Sequence, residues 1–257
     1  MTAPAPTILA QITDPHIRLD DGGLSAAGLS AAVDAVMALA TSPDAVIVTG
    51  DLVDHPGRAE YELVGELLAP FGVPVHVLAG NHDDRDALRA AFPLGPADPR
   101  AAYRYAATVR ELALIGFDTT IPGHVEGATD DEGIAWLDEQ LGARPETPTV
   151  LAMHHPPIAT GNRAIDWIGL GDSDRLRISA LLARHPQVQR VICGHVHTTV
   201  FGTAGGCPVV ACAGTGYQLP FAIPGGEDLE LVAGPGAIAL HVLADGALTT
   251  HVRSLRA

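Results

Sequence analysis

The chain has no lysine; all 15 of its basic residues are arginine. Against them stand 30 acidic residues, for a formal net charge of −15. A nucleic-acid-binding face needs clustered positive charge to neutralise phosphates, and no arginine cluster occurs, so such a face is excluded. Cysteine is scarce too. Cys193, Cys207 and Cys212 sit among apolar residues, and none belongs to a C-x-x-C pair. That pattern reads as buried, reduced thiols in a cytoplasmic protein, and it rules out a disulfide scaffold. No apolar run reaches the length of a membrane span; the least charged stretch, Leu231 to Ala244, is broken by Gly234, Pro235 and Gly236. Met1–Pro6 carries no basic leader, and Ile8–Ile12 is too short for a signal core. Internal repeats and long linkers are absent as well. What is abundant is apolar residues, 47% of a 257-residue chain, enough for a buried core in one large α/β domain or two small ones.

The order of apolar segments organises the chain. Thr7–Ile12 is expected as a buried strand, Ser25–Ala40 as a helix with apolar residues at helical spacing, and Ala45–Thr49 as a second strand. Ala59–Leu68 reads as a helix, Val73–Leu78 as a third strand and Asp84–Ala91 as a short helix. Strands are expected again at Tyr103–Ala107, Leu112–Phe117, Thr149–Met153 and Val188–Cys193, with helices at Asp131–Leu141 and Asp172–Ala183. Four more strands follow, at Thr198–Thr203, Pro208–Ala213, Gly236–Leu243 and Leu248–Val252. The Gly/Pro-rich segment Gly214–Gly226 reads as a loop at the site, not a linker. A single domain over 1–257 is the expectation.

Five polar segments stand just past strand ends. They are Asp14-Pro15-His16, Gly50-Asp51-Leu52-Val53-Asp54, Gly80-Asn81-His82-Asp83, His154-His155 and Gly194-His195-Val196-His197. In open α/β sheets, ligands gather outside the carboxyl ends of strands. Asp, His and Asn make a good ligand set for two metal ions that share a carboxylate. The pairs Asp14/His16 and His195/His197 are two residues apart, which on extended backbone turns both side chains to one side. Adjacent His154 and His155 would then point apart.

In order and content, these segments resemble the calcineurin-like metallophosphoesterase family. The resemblance implies an α/β fold in four layers, α-β-β-α. It implies one metal held by Asp14, His16, Asp51 and His197, and a second held by Asp51, Asn81, His154 and His195, with Asp51 bridging. The metals would be Fe, Mn, Zn or Co. A metal-bound hydroxide would attack phosphorus, His82 would assist at the scissile bond and Asp54 would orient His82. His155 either lines the pocket or bonds locally. Further stretches, His154-His155-Pro156-Pro157-Ile158, Gly161-Asn162 and Gly214-Thr215-Gly216-Tyr217-Gln218-Leu219-Pro220, are similar to the class III cyclic-nucleotide and glycerophosphodiester phosphodiesterases. After Asp54 the chain runs His55-Pro56-Gly57, unlike the Arg-Gly of the Ser/Thr protein phosphatases.

The expected activity is hydrolysis of small phosphodiesters by a dinuclear metal enzyme. Alternatives on the same fold are a phosphomonoesterase, a nucleotide pyrophosphatase or a non-catalytic scaffold. The expected partner is a small phosphodiester, not a nucleic acid polymer and not a membrane; a homo-oligomer is compatible with the chain. Specificity is expected from Ile17–Leu24, Thr160–Asp172 and Gly214–Gly226. Trp167 is expected either to wall the pocket or to pack in the core, Trp136 to pack in the core, and His76 to lie in the core or at an interface. His241 is given no chemistry.

Overall fold

Long apolar runs without alternation call for strands covered on both faces. The computed structural model, which describes residues 5–94, 101–220 and 230–255, meets that need with two stacked sheets. The first sheet is built on β1 (Thr7–Ile12), β2 (Ala45–Val48) and β3 (Val75–Val77), which run parallel. Between β1 and β2 lies helix α1 (Leu24–Met37), and α2 (Arg58–Leu68) lies between β2 and β3. Helix α3 (Arg85–Ala91) follows, with Asp84 capping its first turn by accepting from the amides of Asp86 and Ala87.

The second sheet starts with β4 (Tyr105–Val109) and β5 (Leu112–Gly116), an antiparallel hairpin. Then come α4 (Asp131–Gly142), β6 (Thr149–Ala152), α5 (Arg163–Trp167), α6 (Asp172–Leu182) and β7 (Val188–Cys193). The chain continues through β8 (Val200–Ala204), β9 (Cys207–Ala211) and a two-stranded pair, β10 (Tyr217–Gln218) with β11 (Val232–Ala233). It then returns to the first sheet as β12 (Ala237–Ala244) and β13 (Ala247–Ser254). Strand order is β13-β12-β1-β2-β3 in one sheet and β4-β5-β6-β7-β9-β8 in the other.

Side-chain alternation shows the layering. Leu112, Leu114, Val150, Ala152 and Ile192 share one core with Leu9, Ile47 and Leu29 of the first sheet and its helix. Their neighbours Ile115, Leu151, Met153, Val191 and Cys193 turn away into a second core with Leu137, Ile178 and Leu181 of α4 and α6. The result is helix, sheet, sheet, helix, the four-layer sandwich expected. Each fully buried leucine here contributes about 1.5–3 kcal/mol of transfer free energy. His76 lies where the sheets meet, its ring stacked on that of Tyr105 at 5.9 Å.

Two expectations fail. Trp167 neither walls a pocket nor packs in a core: it is 80% exposed, on the outer side of α5. Helix α5 lies inside the segment Thr160–Asp172, expected as a loop, and Asn162 caps it by accepting from the amides of Ala164 and Ile165. Trp136 is partly buried, stacked on Phe117. Residues 221–226 of the expected site loop lie outside the described residues.

Candidate metal centre

The loops leaving β1 and β2 are laced together. The amides of Asp14, His16 and Ile17 donate to the carbonyls of Gly50, Asp51 and Leu52 at 3.0–3.1 Å, and Asp54 donates back to Ile17. The packing is so close that two motif glycines have no substitute. A Cβ on Gly80 would strike the amide and carboxylate of Asp51, and one on Gly194 would strike the Thr13 hydroxyl and the Asp14 carboxylate.

The paired residues do not lie on the extended backbone that their spacing leads one to expect. Asp14 (φ 49), His16 (φ 44), Asp51 (φ 50), His195 (φ 72) and His197 (φ 48) all hold the left-handed conformation. Only two other described non-glycine residues do so, Arg110 and Asp245. Each such residue costs about 1 kcal/mol or more, and strain of this kind gathers where a site must be pre-organised. The paired side chains therefore converge through tight turns, not through a strand's alternation. His154 and His155 likewise sit in a bend just past β6, and their rings meet edge to face at 5.0 Å.

All the expected ligand residues come together. Donor atoms of Asp14, His16, Asp51 and His197 lie within 4.8 Å of one another. On the other side of Asp51, Nε2 of His154 is 3.3 Å from the Asp51 carboxylate and 3.2 Å from Oδ1 of Asn81. Nδ1 of His195 is 3.1 Å from the same Asn81 oxygen. Asp51 therefore stands between two groups of donors.

Partners that can only accept fix which ring nitrogens carry protons, and so what these groups require. A carbonyl can only accept, so Nδ1 of His154 donates to Thr49 O, and Nδ1 of His197 donates to Tyr217 O, both at 2.8 Å. Nδ1 of His16 faces the Asp54 carboxylate at 3.3 Å. In their neutral forms the Nε2 atoms of all three rings are therefore bare lone pairs. Two of them, on His16 and His197, lie 3.0 Å apart beside carboxylates. The third, on His154, meets the acceptor oxygens of Asn81 and Asp51. The Nε2 atom of His195 is buried with no partner among the described residues. Converging acceptors repel unless a cation or proton lies between them. The donor set, neutral nitrogens and amide with two carboxylates, suits a pair of such cations.

Charge balance says the same. Burial opposes a charge on His154, yet the carboxylates of Asp51 and Asp14 raise it to about 9. Burial also opposes charge on His16, and Asp51, Asp54 and Asp14 raise it. Burial disfavours the Asp51 carboxylate, but His154 and His16 hold it well below the usual range. His195 and His197 are pushed down by burial.

His82 is half open to solvent, its Nδ1 donating to the main-chain carbonyl of Asp54 at 3.1 Å. The Asp54 carboxylate lies 3.4 Å from that nitrogen, and also touches His16 and Arg18. Asp54 thus holds His82 mainly through its backbone and His16 through its side chain. His155 bonds locally: Nδ1 to the Thr119 hydroxyl at 2.8 Å and Nε2 to Val125 O at 3.2 Å. Burial pushes it down to about 3, so it is neutral.

The donors open into a cavity of about 370 Å³ lined by Arg18, Ile165, Ile168, Tyr217 and Leu231, so each expected specificity loop supplies a wall. Arg18 is held by Asp20 at 3.0 Å and Asp54 at 3.4 Å. A second cleft, of about 700 Å³, meets the first at Asp54, Asn81 and His82 and runs along residues 120–125. No motif in the sequence points to this cleft.

Comparison with known proteins follows the same lines. A model of calcineurin-like phosphoesterases matches residues 8–199. The chain is 32% identical to glycerophosphodiester phosphodiesterase GpdQ of Enterobacter lignolyticus, over 83% of this chain and 79% of that one. It is 30% identical to the 3',5'-cyclic adenosine monophosphate phosphodiesterase CpdA of Vibrio vulnificus, over 96% and 89%. In fold it is similar to a dimetal phosphatase from Danio rerio, with a TM-score of 0.70 at 15% identity, covering 98% of this chain and 100% of that one.

Proposed function

We propose that this chain, which belongs to the calcineurin-like phosphoesterase family, is a metal-dependent phosphoric diester hydrolase acting on small phosphodiesters, either 3',5'-cyclic nucleotides or glycerophosphodiesters. One observation carries the reading: two sets of buried acceptor atoms converge on either side of the Asp51 carboxylate. Relatives whose names give those two substrate classes, at 30–32% identity, support it. In our reading the whole chain acts as one domain. The free, buried cysteines are compatible with a cytoplasmic setting.

In this reading Asp14, His16, Asp51 and His197 hold one metal, and Asp51, Asn81, His154 and His195 the other. Fe, Mn, Zn and Co all suit these donors. When bound, the pair supplies positive charge for the phosphate oxygens and lowers the pKa of a water toward neutrality. The protein's part is orientation and proton movement. Thr49 O and Tyr217 O fix the tautomers of His154 and His197 so that each presents Nε2. Asp54 does the same for His16 and His82. With Nδ1–H held by Asp54 O, His82 has Nε2 left for the substrate, and it gives a proton to the departing ester oxygen from the doubly protonated ring, for which the Asp54 carboxylate 3.4 Å away is the counter-ion. The water loses one proton to solvent before its oxygen bonds to phosphorus; as the old P–O bond breaks, the proton from His82 goes to the departing oxygen, so the alcohol leaves neutral and His82 takes a proton back from solvent.

The charge balance favours diesters. Two divalent ions bring about four positive charges against Asp14, Asp51 and an ionised water, leaving roughly one. That suits a monoanion. Arg18, the cation lining the cavity, is already engaged by Asp20 and Asp54. The two clefts meeting at His82 give room for both arms of a diester. The test is the ratio of kcat/KM for bis-nitrophenyl phosphate to that for nitrophenyl phosphate, at one pH and metal loading. A ratio above one is expected; a ratio below one makes the enzyme a phosphomonoesterase.

A further inference from the structure

A glutamine inside an apolar strand is costly to bury unless its amide is fully bonded. Gln11, in β1 between the sheets, is wholly buried and fully bonded. Its Nε2 donates to the Thr49 hydroxyl at 3.0 Å and to the carbonyl of Cys193 at 2.9 Å. Its Oε1 faces Nε2 of His241 at 3.1 Å. His241, in β12, is also wholly buried, and its Nδ1 meets the Thr250 hydroxyl of β13 at 2.9 Å. The amide orientation follows from these partners. Cys193 O can only accept, so the NH₂ group points there, Oε1 accepts from His241 Nε2–H, and the Thr250 hydroxyl donates to Nδ1.

The partners of this amide are the roots of the ligand loops. Thr49 comes two residues before Asp51, and its carbonyl accepts from His154. Cys193 comes two residues before His195. Gln11 itself comes three residues before Asp14. One side chain therefore spans both sheets and touches the stems of Asp14, Asp51 and His195, reaching His154 through Thr49. Nothing else in the proposed mechanism uses it.

We infer that Gln11, oriented by His241, is a positioning residue that sets the spacing of the two halves of the metal centre across the sheet–sheet interface. The inference rests on the two-metal reading above. The ligand loops carry left-handed backbone at five ligands, so they need a firm base to hold their geometry, and the converging donors tolerate little relative movement of the sheets. A merely structural role would make the amide interchangeable with an apolar side chain of similar size, apart from a loss of stability.

The test separates the two roles through metal affinity. Manganese is titrated calorimetrically into the metal-free full chain, and thermal unfolding is followed alongside. The wild type is expected to bind two ions. Gln11→Leu should weaken binding at both positions by about 10–100-fold, the range for residues that orient metal ligands. The double variant Gln11→Leu/His241→Leu, which removes the His241 N–H that Gln11→Leu leaves unpaired, should regain part of the lost Tm without regaining affinity. His241→Gln, which keeps a donor and an acceptor, should leave affinity within about threefold of wild type. Should Gln11→Leu keep wild-type affinity while its Tm falls, or should the double variant regain both, the positioning role is overturned. If the wild type itself fails to bind two ions, the two-metal reading fails and the inference with it, a result distinct from the others.

Discussion

The loops above the strand ends and the space just beneath them differ in backbone, charge and hydrogen bonding. Above, five of the candidate ligand residues hold left-handed backbone, carboxylates and imidazoles crowd together, and acceptor atoms face acceptor atoms. Beneath, Gln11, Thr49, His241 and Thr250 lie on or beside regular strands, are neutral, and pair donor with acceptor. The upper region is frustrated unless cations fill it; the lower one is complete without them. A site that must bind metal with little rearrangement is well served by this division, because strain is tolerated where the base is rigid. It follows that substitutions above should change metal content and turnover, and substitutions below should act through stability and spacing.

The largest effect should come from Asp51, the carboxylate between the two donor sets. Asp51→Ala should lose both metals and all measurable activity, by elemental analysis and turnover of bis-nitrophenyl phosphate; retention of both ions would break the assignment. His82→Ala should keep the metals and cut turnover by about 10²–10⁴-fold, the usual range for a general acid. Asn81→Ala should be milder. It removes a neutral ligand from one half, weakening one ion by about 10–100-fold, and excess metal should restore activity. The paired histidines sharpen the comparison within one bend. His154→Ala should lose an ion, while His155→Ala should not, because both nitrogens of His155 are already bonded to Thr119 and Val125.

Much of this was legible before the structure. The strands Thr7–Ile12 and Val188–Cys193 follow from uninterrupted apolar runs, and each polar segment sits just past such a run. The candidate ligand residues are legible by chemical type. Their backbone is not. Steric rules assign extended or right-handed conformations to Asp and His, and only the lacing of neighbouring loops overrides them. The short helix Arg163–Trp167 is not legible in the sequence, because five residues show no periodicity; Asn162 is its one local signal. The pairing of Gln11 with His241 lies beyond any sequence pattern. The residues are 230 positions apart, and one polar residue in an apolar strand does not say what will face it.

The smallest effect concerns pH, and it sets the two regions in opposition in metal-free protein. Burial pushes His241 down to about 3, while the carboxylates of Asp51 and Asp14 raise His154 to about 9 against the cost of burial. Unfolded histidine titrates near 6.5. Between about pH 6.5 and 3 the unfolded chain therefore takes up a proton that folded His241 refuses, so the stability His241 contributes is full above 6.5 and lost as pH falls. For His154 the folded state binds the extra proton between about 6.5 and 9, so its contribution is full below 6.5 and lost as pH rises. Each group has a slope of up to about 1.4 kcal/mol per pH unit within its window. Thermal unfolding of chelated protein across this range should accordingly fall away on both sides. His241→Gln keeps the hydrogen bonds without the titration and should make only the acid limb shallower, by that one proton, while His155, His195 and His197 keep the rest. His154→Gln should make only the alkaline limb shallower, His16 keeping the rest, and loading wild type with metal should flatten that limb, because the cations replace both protons. If His241→Gln leaves the acid limb as steep as before, His241 is not the neutral floor on which the comparison rests.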